Sequence, residues 1–343
     1  MLRTTLTDLT VRILASRPIS AVMAPLRANV IPVFMLHRIE NKDLGISGHS
    51  VESIETALRF INEHGYQGVS IEQISDALAN NIPLPKNSVA FTLDDGFAEQ
   101  AEVALPLFEK HKIPVTLFLA TDMLDKKSWS WDYKLEYIIQ HTKHKQVKTI
   151  LAGQPFTADI ASYDQKRSFT RKIRWFLKAY SIGETHKSVQ HLAHSLDVQV
   201  PIEAPAQYRS MTWQQAKQAE SNYVQFGPHT CAHNVLSQLS GEEAKQEIER
   251  SWQRIQEELS NPCPVFCYPT GRPNVDFGMR EKQIVANAGF KSALSAESGY
   301  IDIKNKHKND IYSLNRFAFP NTLTDFKQYC SWIERAKNLA LFR

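Results

Sequence analysis

The chain reads as an α/β protein with a mainly parallel sheet, and three observations predict it. Short apolar runs rich in β-branched and aromatic residues recur, among them "IPVFMLHRI" (31–39), "SVAFTL" (88–93) and "PVTLFLA" (114–120). Stretches of helical periodicity separate them. Connections of that length carry the chain back across a sheet, so successive strands pair in parallel, in a βα barrel or a doubly wound sheet. At 343 residues and 43% hydrophobic content there is ample material for a large core.

Residues 1–30 are expected to be a helical segment. Arg3, Asp8, Arg12, Arg17 and Arg27 interrupt its apolar runs before they reach the length of a signal core or a membrane span, so a cytoplasmic chain is expected, with peripheral contact at the inner membrane face as an elaboration. The first strand ends at His37. "SVESIETALRFINEHG" follows as an amphipathic helix with Ile54, Leu58 and Ile61 on one face and Gly65 as its stop. The second strand runs into Asp94, Asp95 and Gly96. A helix around "AEVALPLFEKH" leads to the third strand, 114–120.

From 133 to 207 the rhythm breaks into a polar, mostly helical stretch without convincing strands, in which eleven Lys and Arg outnumber the acids. It is expected to be an inserted subdomain or lid whose basic face meets solvent, an anionic glycan carrier or a phospholipid surface. The pattern resumes with "NYVQFGPHTCAHN" and the helix "SGEEAKQEIERSWQRIQEEL", where Ser240 and Glu243 form a capping-box pair. "PVFCYP" (264–269) and "FKSALS" (290–295) are two more strand candidates. The barrel is thus expected over 31–132 and 208–320, with one amphipathic helix over 321–343 docking on it.

Composition excludes some functions. A net charge of +4 is too mild to imply nucleic acid, and no recognition motif of that kind is present. The four cysteines (Cys231, Cys263, Cys267, Cys330) contain no C-x-x-C pair and read as small core hydrophobes in a reducing compartment. Oligomeric state is not legible.

Two adjacent carboxylates at a strand end raise each other's pKa, so Asp94 and Asp95 either cap a turn or share their charge with a cation. His229 and His233 are four apart, and one helical turn would aim both imidazoles at one point. With a carboxylate from another strand end they would make a two-His, one-carboxylate site of the kind that holds catalytic zinc. One aspartate would then ligate the cation and the other stay free as a base. Cys231 lies at i+2 from His229, off that shared face.

Here the sequence resembles the polysaccharide deacetylases, carbohydrate esterase family 4, also called the NodB homology domain. "TLDDGF" (92–97) matches the first motif of that family, "HTCAH" (229–233) the second and "FCYPTG" (266–271) the third, in order, and the resemblance covers about 31–320 apart from the insertion. It implies a distorted (β/α) barrel somewhat short of eight strands and metal-dependent removal of acetyl groups from N-acetylated carbohydrate. The metal would be one divalent ion, zinc first, with Co2+, Ni2+ and Fe2+ as alternatives. Carried over by position, Asp94 is the base, Asp95, His229 and His233 are ligands, and the backbone at Thr270 helps bind the oxyanion. Thr230 would stand beside the ligands, and Tyr268 and Pro269 would line the cleft.

Two departures matter. After residue 240 the chain has only His307 to offer for the family's L-x-H acid, and a lysine-rich loop suits that role poorly. His37 instead looks like the acid of a permuted branch, in which the corresponding strand comes first. Cys267 stands where many relatives carry arginine, and Arg316, in "LNRFAFP", is the candidate to orient Asp94 in its place. Trp129 and Trp131, in "SWSWDY", offer either a sugar platform or core packing. The expected reaction is de-N-acetylation of a GlcNAc-like sugar in a polysaccharide or glycolipid intermediate. An O-acetyl esterase, a non-sugar amidase or a non-catalytic glycan-binding module are the alternatives.

Overall fold

The computed structural model describes residues 11, 13–14, 17–127, 129–304 and 309–341. The strands are β1 (Val30–Leu36), β2 (Gln67–Gly68), β3 (Ser88–Asp95), β4 (Val115–Leu119), β5 (Gln146–Leu151), β6 (Gln154–Asp159), β7 (Val224–Pro228), β8 (Val265–Cys267), β9 (Ser292–Leu294), β10 (Tyr300–Asp302) and β11 (Phe317–Ala318). β11, β1, β3, β4 and β7 lie side by side in parallel, and β10 closes on the first half of β1 in the antiparallel sense. β8 and β9 form a separate parallel pair.

Weak seams join the two sheets into a ring. Between β7 and β8 the Cys263 N–H donates to the Phe226 carbonyl at 2.7 Å, and past β9 the Ser295 N–H donates to Leu314, just ahead of β11, at 2.8 Å. The expected distorted barrel is therefore a parallel ring with interrupted ladders. β3 is buried along its whole length, as a strand covered on both faces requires. Its core is aromatic, with Phe34, Phe91, Phe317 and Phe326 packed between the sheet and the helices Val51–Glu63 and Leu323–Cys330.

Several expected elements form within a residue or two of their anticipated bounds. The first helix runs Val51–Glu63, capped by the Ser50 hydroxyl, which accepts from the Ser53 N–H. The capping box of Ser240 and Glu243 closes on the helix Gly241–Glu258. Three expectations need correction. The helix after β3 starts as a π-turn, Gln100–Ala104, before Leu105–His111, because Pro106 has no N–H to give to a regular first turn. The insertion contains strands: β5 and β6 form a hairpin around Ala152 and Gly153, both at positive φ. Its β5 alternates exposed Gln146, Lys148 and Ile150 with inward Val147, Thr149 and Leu151, a period of two. The C-terminal helix is two, Leu323–Cys330 and Trp332–Leu341, broken at Ser331, whose hydroxyl accepts from the Ile333 N–H.

The insertion has its own core. Leu135, Ile138, Val147, Leu151, Ile173, Leu177 and Leu192 are fully buried in a cluster distinct from the barrel's. Residues 1–10, 12, 15 and 16 of the expected N-terminal segment lie outside the described residues, as does His307. All four cysteines are free and buried. No helix of the described residues is long and apolar enough to cross a membrane.

Candidate active site

The carboxyl ends of the strands converge on a cleft of about 270 Å³. β1 delivers His37, β3 delivers Asp94 and Asp95, and the segment after β7 delivers His229 and His233. Tyr268 and Thr270 follow β8, and Arg316 precedes β11. In parallel barrels this rim is where chemistry gathers, because every strand points its last residue there.

Asp94 and Asp95 occupy opposite electrostatic situations. Burial alone would push the Asp94 carboxyl up, but Arg316 outweighs it and holds Asp94 well below the usual carboxylate range. The Arg316 Nη1 donates to Asp94 Oδ1 at 2.8 Å and to Thr92 Oγ1 at 3.0 Å, while its Nε donates to the Ser295 carbonyl at 2.8 Å. Both partners are almost wholly buried, at 1% and 2% exposure. The His37 Nε2 lies 3.8 Å from Asp94 Oδ2 on the open side. Arg316 thus lies against Asp94, and His37 faces the same carboxylate.

Asp95 has no such partner. Burial, with Asp94 adding to it, pushes its carboxyl up to about 7. Its Oδ1 is buried without a hydrogen bond. Around that oxygen stand His229 Nε2 at 3.7 Å and His233 Nε2 at 3.3 Å, and the donor atoms of the three residues lie within 4.8 Å of one another. The His229 Nδ1 donates to the Cys267 carbonyl at 2.7 Å, which leaves its Nε2 lone pair facing Asp95. Burial pushes His229 down to about 3 and His233 down as well, so both rings are neutral ligands at ordinary pH. An orphaned buried carboxylate oxygen beside two imidazole lone pairs fits a divalent cation. Asp94, His229 and Cys267 meet the same distance test. That set is the poorer one, since Arg316 occupies Asp94 and burial holds the Cys267 thiol protonated.

The local backbone is unusual. Asp95, Thr230, His233 and Thr270 all have positive φ (86°, 64°, 57° and 57°), a region that side chains avoid and that concentrates at functional sites. The imidazoles therefore converge through a bend at Thr230 and His233 and not through the helical turn expected from their spacing. Gly96 follows at φ 89°, where a Cβ would lie 2.9 Å from Leu119 Cδ2.

Two residues that hold this geometry escaped the sequence reading. The Gln100 side chain accepts from the Gly96 and Phe97 N–H groups at 3.0 and 2.9 Å and donates to the carbonyls of Asp94 and His37. Glu247, on the helix Gly241–Glu258, accepts from the N–H groups of Cys231 and Ala232 and from the Asn234 amide. Gln five residues past a strand, or Glu within a polar helix, carries no local signal of either task. Cys231 points its Sγ to the Glu247 carbonyl, away from the cluster.

Tyr268, Thr270 and Trp131 line the cleft, whereas Thr230 and Pro269 are buried outside its lining. Trp129 packs face to face on Tyr208 at 5.5 Å and donates its indole N–H to the Pro201 carbonyl. Asp132, Tyr133, Arg174 and Lys178 complete the opposite wall, none of them singled out by the sequence.

Fold and site together are those of a parallel βα barrel with a candidate metal centre at the carboxyl ends of its strands. The polysaccharide deacetylase family model matches residues 81–293, more than half of the chain, and the chain belongs to that family. A stretch of 115 residues is 23% identical to YxkH of Bacillus subtilis (strain 168), whose name assigns it to the polysaccharide deacetylases; it covers 32% of this chain and 39% of that one. Among solved structures, the Streptococcus pyogenes deacetylase PplD, in complex with acetate, superposes with a TM-score of 0.56 at 17% identity, over 86% of this chain and 94% of that one. IcaB from Ammonifex degensii superposes at 0.53 and 17%, over 90% and 98%. The BpsB deacetylase domain from Bordetella bronchiseptica does so at 0.51 and 14%, over 84% and 97%.

Proposed function

We propose that the protein is a metal-dependent hydrolase that removes N-acetyl groups from a GlcNAc-like sugar of a polysaccharide or glycolipid intermediate. One observation carries the reading: Asp95, His229 and His233 close on a single point beside an aspartate that Arg316 keeps ionised. Asp95, His229 and His233 would hold the ion, with zinc the first candidate, and when bound it supplies Lewis acidity to the acetyl carbonyl and the hydrolytic water.

The chain's own groups do the rest. Asp94 accepts the proton of the attacking water, and its low pKa keeps it ready at neutral pH. His37, 3.8 Å from Asp94 on the open side, returns a proton to the departing amine nitrogen. The left-handed turn at Thr270 presents backbone to the developing oxyanion, and Trp131 offers a ring face to the sugar. A glycan-binding module without chemistry needs no buried Asp94–Arg316 pair, whose desolvation is costly.

The test is release of acetate from N-acetylated sugar nucleotides and lipid-linked glycans by protein reconstituted with zinc after chelation. Acetate release that depends on the metal supports the reading. A fully metal-loaded protein inert towards all of them overturns it, and turnover of acetyl esters alone replaces the amide reading with an esterase.

A further inference from the structure

The insertion brings Arg174, from its helix Tyr163–Leu177, and Lys178, the cap of that helix, into the cleft wall. Their surroundings differ. The Arg174 Nη2 donates to Glu136 Oε2 at 3.1 Å, and its Nε lies 3.7 Å from Asp132 Oδ2. On the cleft floor Arg316 is matched by Asp94, and at the rim Arg272 closes on Asp276 at 2.6 Å. The Lys178 backbone N–H donates to the Arg174 carbonyl, but its ammonium makes no hydrogen bond or ion pair with a described residue. The carboxylates whose fields reach it, Asp132 and Asp276, already have arginine partners. Its Nζ lies 5.6 Å from the centre of the Trp175 ring, and Trp175, 54% exposed, also carries the Arg272 guanidinium 4.5 Å from its ring centre at the rim.

A half-buried ammonium without an anionic partner is unfavourable in the free protein and becomes useful when an anion arrives. We infer that Lys178 forms a subsite for an oxyanion, phosphate or carboxylate, carried by the sugar substrate, with Trp175 as a platform for what extends beyond it. The inference rests on the deacetylase reading and narrows its substrate class. A neutral glycan would cover Lys178 and leave it unpaired and further dehydrated, so the same residue discriminates against neutral substrates. Three N–H donors on a flexible stem suit a phosphate or carboxylate that approaches from solvent.

Binding separates this inference from the chemistry. Zinc-loaded Asp94→Asn protein, which keeps its ligand intact, is titrated with N-acetylglucosamine, its 1-phosphate and N-acetylglucosaminuronic acid at one ionic strength. Zinc-loaded wild type, titrated on the same series in the cold, guards against a misfolded variant. One of the anionic sugars binds about tenfold tighter than the neutral one, the size of one charge-assisted hydrogen bond. Lys178→Ala abolishes that advantage and Lys178→Arg keeps it. The tighter of the two anions identifies the group as phosphate or carboxylate. Equal affinities, or an advantage that survives Lys178→Ala, overturn the subsite. Acetate assays on the same sugars report separately: no acetate with the anion preference intact removes the deacetylase reading and leaves the subsite standing.

Discussion

The two walls of the cleft are built differently. The barrel wall is made of strand ends, and apart from His37 its polar groups are nearly sealed: Asp94, His229 and Arg316 are each exposed by 2% or less. The insertion wall is made of helices with a core of their own, and its cations Arg174 and Lys178 remain partly open to solvent. Register fixes the first wall, since Asp94 pairs with Phe118 and Asp95 with Leu119 across β3 and β4, and one residue of slip would turn both carboxylates over. The second can vary without disturbing that register. The difference teaches that the two walls are separately packed parts of one chain, so that on the proposed reading reaction type and substrate choice would be carried by different parts.

Removing a ligand should have the largest effect. His229→Ala is expected to lose bound metal and about 10³-fold in kcat/KM, since the ion supplies several kcal/mol at 1.36 kcal/mol per tenfold. Elemental analysis beside acetate assays checks it, and full metal content with full activity would dissolve the distinction between the walls. Next comes Asp94→Asn, which should lower kcat by about 10²–10⁴-fold while the metal stays bound; loss of metal instead would make Asp94 a ligand.

Arg316→Gln sharpens the comparison through pH. With the guanidinium gone the Asp94 pKa rises, so the acid limb of the kcat/KM profile moves to higher pH. The sign for stability is that of a depressed carboxylate: the pair stabilises the wild type above the ordinary aspartate range, and the contribution fades as pH falls towards the lowered folded value. At neutral pH the variant should lose about 3–5 kcal/mol in denaturant unfolding, because a buried charge is left alone. An unmoved acid limb would release Arg316 from its role. The smallest effect is expected at the insertion wall. Trp131→Phe should raise KM by about 3–10-fold, in line with about 1 kcal/mol of ring stacking, and lower kcat less. A collapse of kcat with KM unchanged would show that this wall shares in the chemistry.

Much of the barrel wall was legible because each strand announces itself by an apolar run and ends in a chemically distinctive residue. His37, Asp94, Asp95 and His229 all stand in the cleft for that reason, while Arg316, just ahead of β11, was legible only through the arginine missing at Cys267. The route of convergence was not legible: spacing suggested a helical turn, and the chain uses left-handed residues whose identity, Thr and His, gives no hint of positive φ. The insertion wall was opaque for a different reason. Arg174 and Lys178 are two cations among many in a basic stretch, and only tertiary packing sets them apart. The β5–β6 hairpin hid because Lys and Gln on its outer face dilute the alternation.

The bond between Arg316 and Asp94 spans 222 positions of the polypeptide. During synthesis the aspartate leaves the ribosome long before its guanidinium exists, and closing so long a loop is slow. Until then Asp94 is a neutral acid or a hydrated surface charge. On the proposed reading of Asp94 as the base, catalytic competence would arrive as one of the last events of maturation, and fragments ending before residue 316 should release no acetate however well their early strands have paired.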